Sequence, residues 1–274
     1  MGDSNGRFVW YELAAADIEA AKSFYAGVVG WGTREASMPG SDYSLFTAGD
    51  TPVAGLTKLP EDARKAGVAP QWRGYVEAAG LDDVAGRVKQ LGGTVYVPPG
   101  NVRNVARMSV IADPEMATLA LIEASERGPA RPKPGTPGHV GWHELLASDV
   151  DKAFAFYSGL LGWQKTEADV SSMGTYLQFS AGAETAGSVC SKPETSLSSL
   201  WLYYFNVSDV EAAAKRVESG GGRILYGPAA VPGGARIVHC TDPQGAMFAL
   251  IHWRVQVVVG CYSPREASNK PGGQ

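Results

Sequence analysis

Trp10-Tyr11-Glu12-Leu13-Ala14-Ala15-Ala16-Asp17 returns 132 residues later as Trp142-His143-Glu144-Leu145-Leu146-Ala147-Ser148-Asp149. From Trp10 to Trp31 against Trp142 to Trp163, 11 of 22 positions are identical, among them Phe24-Tyr25 with Phe156-Tyr157 and Gly30-Trp31 with Gly162-Trp163. Self-similarity at this spacing marks a duplicated structural unit. The ends of the copies agree as well: Ala106-Arg107 through Asp113-Pro114 matches Ala235-Arg236 through Asp242-Pro243, and Leu119-Ala120-Leu121-Ile122 matches Phe248-Ala249-Leu250-Ile251. Between the copies, Gly128 to Gly138 contains four prolines and three glycines, which interrupt both helix and sheet ladder. The chain therefore reads as a first domain at 1–127, a linker at 128–138, a second domain at 139–254 and a tail at 255–274. In the tail, Val255 to Cys261 reads as an extra strand or an exposed edge, and Glu266 onward as disordered.

Each copy contains a weaker repeat of its own. Phe8 to Leu13 alternates as a strand does, and Asp17 then caps a helix that carries Ile18, Ala21, Phe24 and Tyr25 on one stripe and stops at Gly30. Trp72 to Ala79 reads as a second strand, Asp82 or Asp83 as a second cap, and Val84, Val88 and Leu91 as a second stripe ending at Gly92-Gly93. The other copy repeats this with Trp201 to Val207, Asp209, the stripe Val210, Ala213, Ala214 and Val217, and the stop at Gly220-Gly221-Gly222. Short β-rich runs such as Tyr43 to Phe46 and Tyr176 to Phe179 follow the helices. The predicted unit is βαβββ, used four times, which makes the fold class α+β.

Composition narrows the function classes. Of 274 residues, 45% are hydrophobic and 19% charged, enough apolar surface for a packed core. A formal net charge of -4 without a Lys/Arg block argues against a nucleic-acid partner. No run has the length to span a bilayer and the first residues are not a secretory leader, so a cytoplasmic location without membrane association is expected. Cys190, Cys240 and Cys261 lie far apart without a CxxC pair, as buried free thiols do. The glycine clusters end helices rather than open them, so they form no phosphate cradle.

An aromatic-x-acid-Leu strand, an Asp-capped helix containing Phe-Tyr and ending Gly-Trp, and a closing Asp-Pro-x-Gly turn resemble the vicinal-oxygen-chelate superfamily, the group of glyoxalases, bleomycin-resistance proteins and extradiol dioxygenases. The likeness is strongest to its two-domain, glyoxalase-like members of actinomycetes. Asp242-Pro243-Gln244-Gly245 keeps the turn, whereas Asp113-Pro114-Glu115-Met116 lacks its glycine. The resemblance implies tandem domains in which two βαβββ modules pair their sheets into an open half-barrel around a cavity. Metal-dependent relatives carry His, Gln or Glu on the first and last strands of each module. The matching positions here are Trp10 and Trp142, Ala120 and Ala249, and Arg73 or Val76 against Leu202, none a suitable donor set for a divalent cation. No metal site and no cofactor are expected. His143 falls on the helical side by alternation, and His139, His239 and His252 find no counterpart in the other copy.

Glu12 and Glu144 share the cavity-facing parity of Trp10 and Trp142. Each suits a general acid or base, or a bond to a ligand hydroxyl, or else an ion pair with Arg107 or Arg236 that fixes the sheet register. Along the strands, Trp10, Tyr43, Phe46 and Trp72, with Trp142, Tyr176, Phe179, Trp201 and Tyr204, are expected to line the cavities as flat walls for a planar ligand. The leading expectation is metal-independent binding of a small planar aromatic metabolite, such as an aromatic polyketide antibiotic or its precursor. The role is that of a biosynthetic accessory, sequestration or resistance protein, with a partner oxygenase as a second partner. The alternative is a glyoxalase-type lyase or isomerase, or a cofactor-free enzyme using a cavity Glu as general base.

Overall fold

The computed structural model describes residues 5–36, 43–102, 106–124, 132–171, 174–193 and 198–253, with side chains for all of these except 124, 167–171 and 174. The tail beyond Trp253, part of the linker, and the expectations attached to them lie outside the described residues.

The first half runs β1 (Phe8–Ala15), α1 (Ile18–Val29), β2 (Gly32–Glu35), β3 (Tyr43–Ala48), β4 (Thr51–Lys58), a short α2 (Glu61–Lys65), β5 (Gln71–Glu77), α3 (Leu81–Gln90), β6 (Thr94–Val102), β7 (Ala106–Ala112) and β8 (Thr118–Ala124). The second half runs β9 (Val140–Ala147), α4 (Val150–Leu161), β10 (Gln164–Ser171), β11 (Gly174–Ala181), β12 (Glu184–Ser191), β13 (Leu200–Asn206), α5 (Val210–Ser219), β14 (Arg223–Ala230), β15 (Ala235–Thr241) and β16 (Met247–Trp253). Each half forms one eight-stranded mixed sheet, ordered β2-β3-β4-β1-β5-β8-β7-β6 and β10-β11-β12-β9-β13-β16-β15-β14. The expected βαβββ unit is therefore present four times, with the first strands of paired modules joined antiparallel at the centre of each sheet. The sheets are open, as half-barrels require. No described helix is long and apolar enough to cross a membrane.

Asp17, Asp149 and Asp209 cap α1, α4 and α5 by accepting a hydrogen bond from a first-turn backbone N–H. At α3 the expected Asp82 or Asp83 cap is not formed. Gly80 begins that helix, and Glu123 on β8 accepts hydrogen bonds from the Gly80 and Leu81 N–H groups. Asp82 instead pairs with Arg107.

One apolar core runs through both halves, and Leu13, Tyr25, Trp31, Phe46, Leu121, Tyr157, Trp163, Phe205 and Phe248 all belong to it. The inner faces of the two sheets meet there. The Tyr203 hydroxyl of β13 accepts a 2.6 Å hydrogen bond from the Gly74 N–H of β5. A separate, smaller cluster of Leu202, Tyr204, Ala235, Ile237, Ala249 and Ile251, with Trp142 against it, covers the opposite, outer face of the second sheet. Strand alternation thus gives each sheet an inner face toward the common core and an outer, cavity-side face.

Candidate functional site

The outer face of the second sheet carries a continuous hydrogen-bonded chain. Cross-strand register puts Trp142 opposite Tyr204, Glu144 opposite Leu202 and Ser188, Tyr204 opposite Ala249, and Ala249 opposite His239, so all of these point the same way. Trp142 Nε1 donates to Ser188 Oγ at 3.0 Å, and Ser188 Oγ donates to Glu144 Oε1 at 3.3 Å. The Tyr204 hydroxyl lies 2.5 Å from Glu144 Oε2 and 2.7 Å from His239 Nε2. A phenol has one proton; donated to the carboxylate, it leaves the phenol oxygen to accept from the protonated Nε2 of His239. Glu144 is then the common acceptor, also in hydrogen-bonding reach of the Cys190 thiol.

Burial sets the protonation states. Desolvation pushes the Tyr204 phenol well above its ordinary value, with the Glu144 charge adding to it, so Tyr204 stays a neutral donor. Desolvation also raises Tyr176 and Cys190, which keeps the thiol protonated and non-nucleophilic. His239 is lowered by burial, partly opposed by the Glu144 charge, and is neutral near pH 7. His239 is also the accessible end of the chain: its side chain is 17% exposed, and the exposed Tyr226 ring stands 5.4 Å away at the rim. Such an arrangement can hydrogen-bond a ligand hydroxyl or carbonyl against an aromatic and aliphatic floor, or pass a proton between His239 and Glu144.

The matching face of the first sheet is built differently. Glu12 Oε1 accepts from the Tyr75 hydroxyl at 3.0 Å, and Trp10 Nε1 donates to the Tyr43 hydroxyl at 3.2 Å. Gly55 stands where Ser188 does, and a Cβ there would lie 2.0 Å from the Tyr43 oxygen, so the glycine is what lets that ring cross the strand. Val110 stands where His239 does. This face therefore carries a Trp10–Tyr43 pair and a Tyr75–Glu12 pair, without counterparts of Ser188 and His239.

Of the aromatic residues expected on the cavity faces, Trp10, Tyr43, Trp142, Tyr176 and Tyr204 lie there. Phe46, Trp72, Phe179 and Trp201 lie on the opposite, inner face, which corrects their expected place on the outer one; Trp72 and Trp201 border a pocket on that inner side. All four are buried in the shared core, where Phe46 packs on Trp31, Phe179 stacks on Trp163, and the Trp72 and Trp201 indoles donate to Tyr25 and Tyr157. Each stands three residues from a cavity-facing tyrosine, an odd offset that alternation assigns to the other face. The expected ion pairs of Glu12 and Glu144 with Arg107 or Arg236 are not formed either. Those arginines bind Asp82 and Glu123, and Glu211. His239 and Ser188 were missed in the sequence because neither recurs in the first copy. His143 faces the core, 2.6 Å from the Tyr11 hydroxyl and stacked on Phe8.

The positions that hold a metal in metal-dependent relatives present Trp142, Leu202 and Ala249 in the second sheet and Trp10, Arg73 and Ala120 in the first. Indole, alkyl and guanidinium groups do not fit a divalent cation. Among the described residues no group of three or more His, Cys, Asp or Glu is placed to hold one.

A family model described as the Glyoxalase/Bleomycin resistance protein/Dioxygenase superfamily matches residues 136–250. A Mycobacterium tuberculosis protein named "Putative glyoxylase CFP32" is 32% identical over 244 residues, which cover 88% of this chain and 93% of the relative. The anthracycline biosynthesis protein DauV of Streptomyces sp. (strain C5) is 28% identical over 260 residues, covering 91% of this chain and 94% of its own. The fold is shared with the Mn(II)-bound glyoxalase from Novosphingobium aromaticivorans, at TM-score 0.60 and 16% identity over 90% of this chain and 82% of that one. It is also shared with the 2,3-dioxygenase LapB from Pseudomonas sp. KL28, at TM-score 0.62 and 12% identity over 91% and 93%. With its four βαβββ modules and near full-length relatives, the chain belongs to the glyoxalase/bleomycin resistance protein/dioxygenase superfamily.

Proposed function

We propose that the outer face of the second sheet binds a small planar aromatic metabolite bearing hydroxyl or carbonyl groups, without a protein-held metal, in the service of that metabolite's biosynthesis or sequestration. The observation that carries this reading is the unbroken Trp142–Ser188–Glu144–Tyr204–His239 chain set into an apolar face. A few convergent polar groups on an apolar, aromatic floor are what a planar polyketide ring system requires for orientation. The likeness to a protein of anthracycline biosynthesis supports the same ligand class and a biosynthetic role, in which a partner oxygenase is part of this proposal. A cytoplasmic setting suits both.

Tryptophan-fluorescence titration with 1,4-dihydroxyanthraquinone, run with and without EDTA, tests the reading. Micromolar quenching insensitive to EDTA, and weakened about tenfold by Tyr204→Phe through loss of one neutral hydrogen bond, is expected. Absence of saturable quenching, or stoichiometric bound metal with turnover of methylglyoxal-glutathione hemithioacetal, would overturn it. The shared Tyr204 proton also favours a second reading, cofactor-free proton transfer with Glu144 as base. Glu144→Gln then abolishes ligand turnover while leaving affinity nearly intact, whereas a pure binder shows no turnover to lose.

A further inference from the structure

Arg73 occupies the centre of the outer face of the first sheet, on β5 directly across from Glu12, where the second half has the fully buried Leu202. Its neighbours in sequence, Trp72 and Gly74, face the common core, so alternation sends the Arg73 side chain outward with Tyr75. Arg107 on β7 and its counterpart Arg236 on β15 close ion pairs, Arg107 with Asp82 and Glu123, and Arg236 with Glu211. Arg73 closes none among the described residues, and its Nε is buried without a hydrogen-bond acceptor. The adjacent Glu12 is engaged by the Tyr75 hydroxyl instead. A half-buried guanidinium with a buried, unmet Nε–H and no ion-pair partner is unfavourable, and a carboxylate arriving with the ligand relieves it.

The groups around this cation are flat. Trp10 and Tyr43 are linked to each other, and Tyr43 lies across the strand over Gly55. We propose that this face is a second site, chemically distinct from the first, that takes an aromatic carboxylate: Arg73 forks onto the carboxylate, and Trp10 and Tyr43 flank the ring. The second sheet lacks this cation: both faces carry the equivalent glutamate, Glu12 and Glu144, but Leu202 stands where Arg73 does and offers no donor. The duplicated fold thus presents one neutral-hydroxyl site and one anion site.

Isothermal titration of the full chain with 2-naphthoate, and with 2-naphthamide as the neutral isostere, tests this. Wild-type protein should bind naphthoate at one saturable site and the amide far more weakly. Arg73→Leu, which installs the residue of the other half, should weaken naphthoate about 10- to 100-fold, the worth of a charge-assisted bidentate pair, and leave the amide unchanged. Arg73→Lys should recover part of the loss, and Tyr204→Phe should leave naphthoate binding untouched. Unchanged naphthoate affinity in Arg73→Leu would overturn the proposal. So would a Tyr204→Phe loss equal to that of Arg73→Leu, or no saturable binding by wild type below about 5 mM. Arg73→Gln, closer in length and polarity, keeps the test decisive if the leucine variant unfolds.

Discussion

At the scale of single residues, the protonation of His239 decides what the second face can do. Burial holds its pKa below the usual value near 6.5, so the folded protein binds fewer protons at this ring than the unfolded chain does as pH falls through that value. The sign follows: the stabilisation from neutral His239 is fully present above about pH 6.5 and is lost as pH drops toward the lowered folded value. His239→Val, which copies Val110 of the first half, should remove this dependence. Thermal unfolding of both proteins between pH 7.5 and pH 5 should show wild type losing its advantage over the variant on acidification. A difference that stays flat across that range would mean the ring does not feel the burial described. Glu144, Trp142 and Tyr204 were legible in the sequence because they sit at repeated positions of alternating strands. His239 and Ser188 were not, since a site formed by divergence between two copies is invisible to an argument from repetition. The i, i+3 aromatic pairs, such as Tyr176 with Phe179 and Trp201 with Tyr204, divide by parity, so the inner-face placement of Phe46, Trp72, Phe179 and Trp201 follows from spacing alone.

At the scale of elements, the Asp-Pro turns show how two copies solve one geometry with different residues. Gly245 has φ 93 and Met116, its counterpart, φ 72, a left-handed conformation that costs a non-glycine residue about 1 kcal/mol or more. The preceding side chains repeat a role across the halves: Glu115 accepts from the Ser148 and Asp149 N–H groups, and Gln244 accepts from the Asp17 N–H. Each turn therefore holds the start of the other half's first helix, which keeps the first turn in place despite its strain. Met116→Gly should raise stability by about 0.5 kcal/mol, strain relief exceeding the entropy cost of a glycine, whereas Gly245→Met should lower it by about 1–2 kcal/mol. A Cβ at Gly245 meets nothing within 4 Å, so no clash confuses the second measurement. Urea denaturation of the two variants checks the pair, and the idea is sunk if both substitutions shift the midpoint the same way. The lost glycine was readable in the sequence; the positive φ it forces on Met116, and the carboxylate of Glu123 that replaces a side-chain cap on α3, depend on contacts across strands that spacing does not report.

At the scale of the whole molecule, the duplication is locked by reciprocal bonds between the halves. The Tyr25 hydroxyl donates to Asp242 at 3.2 Å and accepts from Trp72 at 2.8 Å, and the Tyr157 hydroxyl donates to Asp113 at 3.2 Å and accepts from Trp201 at 2.9 Å. Trp31 donates to the Gly138 carbonyl and Trp163 to the Gly6 carbonyl, each at 2.7 Å. The repeated Phe-Tyr and Gly-Trp pairs that exposed the duplication are thus also the residues that join its copies. Desolvation raises both aspartates, and the tyrosine bond is among the interactions that oppose it, so removing a hydroxyl takes the partner from one carboxylate oxygen and from an indole N–H, while the other oxygen keeps its two backbone donors. Tyr25→Phe and Tyr157→Phe should each cost about 1–3 kcal/mol. Because a single apolar core spans both halves, calorimetry should show one unfolding transition in wild type and in each variant, displaced to lower temperature as a whole. Two resolved transitions, only one of them shifted by Tyr25→Phe, would show instead that the halves are separate folding units and that the bonds across their interface merely dock them.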